Sequence, residues 1–422
     1  MTWRPWWRTC GPWPTRSREN DVEPVLMTTA AGHDDRTAGR LLFLCCITGF
    51  ACFFGSYLRI PVLPLLAASR GATAAQVGII NASFMLTAGL LAIPAGLLSD
   101  RLGRRPLLLG GLLVISCSSF LIPLSPGPLI MAAVYLLFGA GLSAFAPTMM
   151  SLVADITPRG RLGRAYSLYT AAVYTGMTFG PAAGGLLGRT IGLDRVFYVS
   201  GGLIMGALLF VLAFLPKTPP PSGEHRFSLR AALATLPGNR RLMACLLGTL
   251  GGCFGFGMFI SFLPLHGRAV GLDSGHVGIV FACQALANAL LRIPLGALSD
   301  RVDRGAMAAA GLFLFAAALA TVGLCRGFIP LSLCAVVMGG GMGSGFTALG
   351  ALVAEVVGPE QRGVALGLYN SCIYLGMMLS SATMGYVIHG VGYGNGFLAA
   401  GALVAGMTLL FSYRYRKAAA GG

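Results

Sequence analysis

Arg59 and Arg292 each lie inside a long apolar run of this 422-residue chain. A charge placed there has no bulk water to solvate it and is a functional candidate by default. Arg292 closes a polar stripe with Gln284 and Asn288, spaced four apart and so on one face of a helix. Arg59 comes late in its run, just before Pro61 and Pro64. Two arginines so placed can meet an anionic group on a small molecule. The structural alternatives are that Arg59 snorkels to a headgroup and that Arg292 pairs with Asp300 or a carbonyl. Tyr57, Asn81, Tyr169, Tyr174, Asn370 and Tyr374 are further polar groups within apolar runs. Each can line a path or be satisfied by nearby backbone. All 14 acids fall in tails, loops or helix ends, so no carboxylate deep in an apolar run is positioned to neutralise either arginine.

Charge is otherwise concentrated in a repeated word. GLLSDRLGRR stands at residues 96–105 and GALSDRVDRG at 296–305. In the first copy Asp100 faces the negative end of the helix dipole and needs cationic partners, which Arg101, Arg104, Arg105 and the more distant Arg164 can supply. Gly96 offers a place for a neighbouring helix to approach. The second copy keeps Gly296, Asp300, Arg301 and Arg304 but has Asp303 where the first has Gly103. Asp155 and Glu355 end two later apolar runs at the same offset of 200.

The elements that carry these residues must be membrane helices. Hydrophobic residues make up 55% of the chain and charged residues only 10%, against about 25% charged in soluble domains. Twelve apolar spans are read between residues 40 and 413. Of the 30 Lys and Arg residues, 23 fall on one side of these spans, five on the other, and Arg59 and Arg292 within them. That bias places both termini in the cytoplasm and makes the net charge of +16 a topology signal with lipid headgroups as its partner, not nucleic acid. The expected organisation is a cytoplasmic disordered tail at 1–39, a six-helix half at 40–215, a Pro-rich cytoplasmic linker at 216–241, a second six-helix half at 242–413 and a tail at 414–422. All four tryptophans fall in the first thirteen residues, so that tail is either an interfacial anchor or a stretch upstream of a start at Met27.

Enzyme chemistry finds no support. Neither Lys217 nor Lys417 follows the glycine of a phosphate-binding loop, and the five histidines are scattered. The 11 cysteines show neither a CxxC nor a Cys/His spacing, so no metal site or disulfide framework is expected.

Offset by 200, the chain matches itself across six spans: Leu63-Pro64-Leu65 with Leu263-Pro264-Leu265, Gly139 and Gly141 with Gly339 and Gly341, Tyr174 with Tyr374. An even number of helices per copy sets both halves the same way up, around an axis along the membrane normal. With these residues in place the chain resembles the major facilitator superfamily. Its loop motif G-x-x-x-D-R-x-G-R-R stands complete as Gly96, Asp100, Arg101, Gly103, Arg104 and Arg105. The stretch GMTFGPAAGG resembles the antiporter motif of the family's drug and metabolite exporters, as Gly176, Gly180, Pro181, Gly184 and Gly185. The resemblance implies an all-α fold of twelve transmembrane helices in two parallel halves. It implies a cytoplasmic gate built on the charged words with Asp155, Arg164 and Glu355. It also implies a monomer in the inner membrane, exchanging a small molecule for protons without a cofactor. The arginine that antiporters of this group carry before the glycines of the fourth helix is absent, with Tyr135 in its place; Asp100 and Asp155 are the remaining proton-carrier candidates. The expected function is proton-coupled efflux by alternating access. An importer or exchanger of an organic anion, using Arg59 and Arg292, is the alternative, and a non-transporting receptor or scaffold the third reading.

Overall fold

A computed structural model describes residues 35–158, 161–216, 238–299, 301–358 and 361–420. The tail before residue 35, most of the linker and Asp300 lie outside the described residues. Every described element is a helix: α1 (Asp35–Leu58), α2 (Val62–Ser69), α3 (Ala74–Leu102), α4 (Arg104–Leu124), α5 (Pro128–Asp155), α6 (Leu162–Thr190), α7 (Leu193–Phe214), α8 (Arg240–Ala269), α9 (Ser274–Ser299), α10 (Arg304–Val322), α11 (Phe328–Glu355) and α12 (Arg362–Ala420).

Local chemistry sets the breaks. Pro61 cannot continue the hydrogen-bond ladder, so α1 stops at Leu58 and the Arg59 carbonyl accepts from Val62 and Leu63 instead. Thr73 and Gln76 form a reciprocal capping box that starts α3. Between α3 and α4 the chain turns through Gly103 at φ +90°, a conformation that costs an L-residue strain. The second copy makes the same corner differently. Asp303 sits at φ −60° and its carboxylate accepts from the Ala306 amide at 2.6 Å, capping α10. The departure from the motif is therefore an exchange of one turn chemistry for another.

Among the described residues, ten helical stretches are long and apolar enough to cross a membrane. α6 is not one of them; Gly, Thr and Tyr replace the aliphatic residues over much of it. The stretch Val364–Ala418 counts once although α12 breaks at Gly392, φ +80°. α8 shows what that break does. A Cβ on Gly376 would touch the Leu250 carbonyl and Cys253, while Met407 and Phe411 pack on Gly251 and Gly248 of the same stretch. Residues on both sides of Gly392 thus meet α8 at one level, so the chain doubles back there.

The two halves join at one end only. On α6, Gly176, Gly180 and Gly184 lie against α1: a Cβ on Gly184 would sit 1.9 Å from the Leu58 carbonyl oxygen, and one on Gly180 2.7 Å from Tyr57 Cβ. Gly185 turns the other way, where a Cβ would lie 2.2 Å from the Ser274 carbonyl oxygen on α9. Its repeat partner Gly385 meets Ala74 and Ala75 of α3 in the same manner, and Gly78 meets the Ser381 carbonyl as Gly278 meets that of Pro181. These paired backbone contacts close the end away from the chain termini. One buried core runs through the first half and continues into Phe254–Leu265, Val277–Phe281 and Phe397–Val404. At the termini end the second half has its own core, from Leu242 to Cys253 with Phe346, Leu349 and Phe411, joined from the first half by Met85 of α3. The halves are fused at the far end and parted at the termini end.

Charges finish the far-end closure. Arg189 of α6 pairs with Asp273 before α9 at 3.3 Å, and His276 Nδ1 approaches the same carboxylate at 2.9 Å. Burial raises the Asp273 carboxyl, but the His276 amide and ring and the Arg189 guanidinium outweigh it and hold its pKa below the ordinary value. A lowered pKa means that this pair favours closure above the ordinary carboxylate range and is lost as pH falls through the folded value. Arg70 fixes the first half separately, donating to the Pro123 and Ser125 carbonyls at 2.7 and 2.8 Å and pairing with Asp194.

Gly184→Val is expected to lower the stability of the detergent-solubilised protein by about 1–3 kcal/mol, read as a drop in Tm. Gly206→Val, at a glycine with nothing within 4 Å, leaves Tm unchanged. Spin labels on the α6–α7 and α8–α9 turns report far-end opening. The wild-type distance distribution stays constant through the ordinary carboxylate range and widens only as the pH falls below it, whereas Asp273→Asn is wider than wild type at neutral pH. Identical distributions for the two proteins would rule out the pair as a closing element.

Candidate functional site

Where the fused end gives way to the open end, four candidate residues converge between the halves. Tyr57 of α1 packs on Gly180 of α6, within electrostatic range of Tyr174 of α6 and Tyr374 of α12. Arg292 of α9 donates from Nη1 to the Tyr174 hydroxyl at 2.5 Å, with its guanidinium 5.2 Å from that ring's centroid. Tyr374 packs on Gly89 of α3, the seam equivalent to the one where Tyr174 meets Arg292. Tyr174 keeps 37% of its surface exposed. Three tyrosines and one arginine thus form a floor that is apolar enough for rings and carries a few hydrogen-bonding tips. That is the usual make-up of a small-molecule site.

The rest of the polar stripe does not share this floor. Gln284 is buried and donates to the Met342 sulfur at 3.4 Å, and Asn288 packs at Gly343 with its Oδ1 lacking a donor. Arg292 reaches a hydroxyl on the other half, not the carbonyl expected of a structural arginine; Asp300, its other expected partner, lies outside the described residues. Tyr169 is buried against Gly49 of α1 and is a packing residue, and Asn81 is buried with its amide donating to the Val77 carbonyl at 3.4 Å. Asn370 is exposed on α12.

Arg59 is set apart from that floor, between α1 and α5. It is 1% exposed, its guanidinium carbon lies 3.7 Å from the Phe138 ring centroid, and Tyr135 is 5.9 Å away. Snorkelling is therefore not what this side chain does. Phe84 of α3 closes the wall, its ring centroid 5.0 Å from Phe138 and 6.5 Å from Tyr135.

At the termini end the charged words act within each half. Arg104, its side chain 9% exposed, bonds Asp155 at 2.9 Å, Ser99 at 2.9 Å and Asp100. Arg304 pairs with Glu355 at the equivalent place in the second half. Arg105 instead donates to the Leu212 carbonyl at 2.8 Å, and Arg101 is exposed. Of the four expected partners of Asp100, only Arg104 pairs with it. No helix approaches Gly96 or Gly296, where an added Cβ would meet open space; the close approach expected at Gly96 is absent because the halves stand apart there. Arg161 and Arg164 border a cleft of about 510 Å³ lined by Leu42, Phe43 and Leu168 at this end. Among the described residues no three His, Cys, Asp or Glu side chains converge as a metal site.

Sequence reasoning missed the far-end pair of Arg189 and Asp273 and the ring wall around Arg59. The first carried a signal, an arginine in the last turn of α6 and an aspartate just before α9. The second carried none, since Phe84 and Phe138 read as ordinary apolar positions.

Comparison with known proteins agrees with this arrangement. The family model described as Major Facilitator Superfamily matches residues 45–275 and 245–421. An MFS-type transporter of Methanocaldococcus jannaschii is 23% identical, over 84% of this chain and 92% of that protein. The multidrug efflux protein YfmO of Bacillus subtilis is 27% identical, over 78% of this chain and 83% of that protein. Among solved structures, an inward-facing, unoccupied bacterial homologue of the human lysosomal transporter Spinster superposes with a TM-score of 0.76 at 17% identity, covering 92% of this chain and 99% of its own. The chain is a helical, multi-pass membrane transporter, not an enzyme, and belongs to the Major Facilitator Superfamily.

Proposed function

We propose that the protein exports small amphipathic compounds across the cytoplasmic membrane in exchange for protons. In this reading the chain crosses the membrane twelve times as two parallel six-helix halves, acts as a monomer and keeps both termini in the cytoplasm. The observation that carries the proposal is the one-sided opening. The halves are fused by backbone contacts at Gly185 and Gly385 and parted below Tyr174 and Tyr374. With the termini inside, the tyrosine floor faces the cytoplasm and accepts compounds from there or from the inner leaflet. Rocking the halves about that floor separates the Arg189–Asp273 pair and delivers the compound outward.

Two further features favour export. The complete glycine-proline motif on α6 resembles that of exporters, and the Bacillus subtilis relative is a multidrug efflux protein. Asp100 and Asp155, which share Arg104, are the proposed proton carriers. Protonating both would release Arg104 and couple the charge state of that end to its opening.

Expression in an efflux-deficient bacterial host tests the function, using a panel of lipophilic dyes and drugs with and without an uncoupler. At least one compound should leave the cells several-fold faster than in the empty-vector control, and the uncoupler should abolish the difference. Efflux that persists after the gradient is collapsed rules out proton coupling; no change for any compound rules out export. In proteoliposomes the double variant Asp100→Asn, Asp155→Asn is expected to carry the compound down its own gradient but no longer to accumulate it when a pH gradient is imposed.

A further inference from the structure

Arg59 carries an unanswered charge. Among the described residues it is the largest fully buried side chain, and its Nη1 and Nη2 have no hydrogen-bond partner. Its Nε reaches only the Ser56 carbonyl, at 3.5 Å. The ring of Phe138 covers one face, which offsets part of the lost hydration but offers no acceptor to the guanidinium edge. The charged pairs of the described residues lie at the two ends of the molecule, on Arg70, Arg104, Arg189 and Arg304. A buried cation without a counter-ion is strongly unfavourable, and arginine does not escape by losing its proton. Packing does not demand an arginine here either, because an aliphatic side chain would fill a pocket walled by Phe138, Tyr135 and Phe84.

We infer that Arg59 is the recognition site for an anionic group, a carboxylate, on the exported compound, with Phe138 and Tyr135 stacking the flat ring beside it. Arg59 lies two residues from Tyr57 of the floor, at the break that Pro61 imposes between α1 and α2. Phe84, the ring that closes its wall, also packs against the second half's own core. Movement of one half against the other therefore acts on Phe84 and on access to the guanidinium. A carboxylate arriving there accepts two parallel N–H bonds from Nη1 and Nη2, the geometry in which arginine binds carboxylates best. The site deepens the export reading by assigning a substrate class: aromatic amphipaths that bear a carboxylate.

Purified full-length protein in detergent is titrated with pyrenebutyric acid and with its methyl ester, which differ only in the charge. Wild type should bind the acid at least about tenfold more tightly than the ester. Arg59→Gln should bring the two affinities together, while Arg59→Lys retains part of the preference. Equal wild-type affinities, or a preference that survives in Arg59→Gln, overturn the inference. The wild-type ratio remains decisive if Arg59→Gln does not fold. Repeating the titration at low ionic strength with and without added chloride separates the alternative anion. Loss of acid binding in chloride, together with a chloride-dependent rise in Tm that Arg59→Lys keeps, assigns the site to an inorganic ion instead. Because the readout is equilibrium binding, it stands apart from export: a protein that binds the acid but moves no compound defeats the functional proposal alone, and one that exports without acid preference defeats only this one.

Discussion

Helices in a membrane gain little from hiding apolar surface, since lipid is as apolar as leucine, so what joins the two halves here is backbone touching backbone. Gly185 against Ser274 and Gly385 against Ala74 bring helices close enough that a single methyl group would collide. Everything else follows from confining those contacts to one end. Where they exist, the cores of the halves run together; where the small residues stop, the cores separate and Tyr174 is left partly exposed. A rigid unit that is tight at one end and open at the other can change state only by exchanging which end is tight. That is a mechanical consequence of close packing, because packed interfaces have discrete arrangements and do not stretch.

Electrostatics divides along the same line. At the termini end each half satisfies its own charges, Arg104 with Asp155 in the first and Arg304 with Glu355 in the second. Self-contained pairs of this kind let the halves part without exposing an unpaired ion. At the far end the pair is placed across the junction, Arg189 on one half and Asp273 on the other. Parting the halves there strands Arg189 and leaves Asp273 with only His276. The molecule thus rests in the state where no pair is broken, and opening the far end requires that the Arg189–Asp273 contact be exchanged for water or protons.

Much of the architecture was legible because its physics repeats. Apolar runs too poor in charge for a soluble surface carry a length, and they lead to the all-helical, multi-pass chain. The four-residue glycine spacing on α6, Gly176, Gly180 and Gly184, was likewise legible as a face for close packing. Sequence could not tell which neighbour each glycine meets, so it missed that Gly184 serves α1 whereas Gly185 serves α9. It also could not place Arg292 opposite Tyr174, because that contact depends on how far the halves are rotated. The close approach expected at Gly96 is absent for the same reason: a static sequence is shared by every state of a moving protein, and a glycine can serve a contact that this state does not make.

The repeat also separates what builds the machine from what handles the cargo. Positions that are the same in both copies form the junction, the floor and the arginines of the termini-end pairs: Gly185 with Gly385, Tyr174 with Tyr374, Arg104 with Arg304. Positions that differ carry the unusual chemistry. Arg59 corresponds to Phe259, Tyr135 to Ala335, Arg292 to Ala92, and Asp273 to Thr73. A duplicated scaffold needs symmetry to rock about an axis, whereas a bound compound has none and must be met by unlike walls. Arg59, buried on the first half without a charged partner, and Arg292, facing Tyr174 from the second, are therefore where selection among compounds can act without disturbing the junction on which the rocking depends.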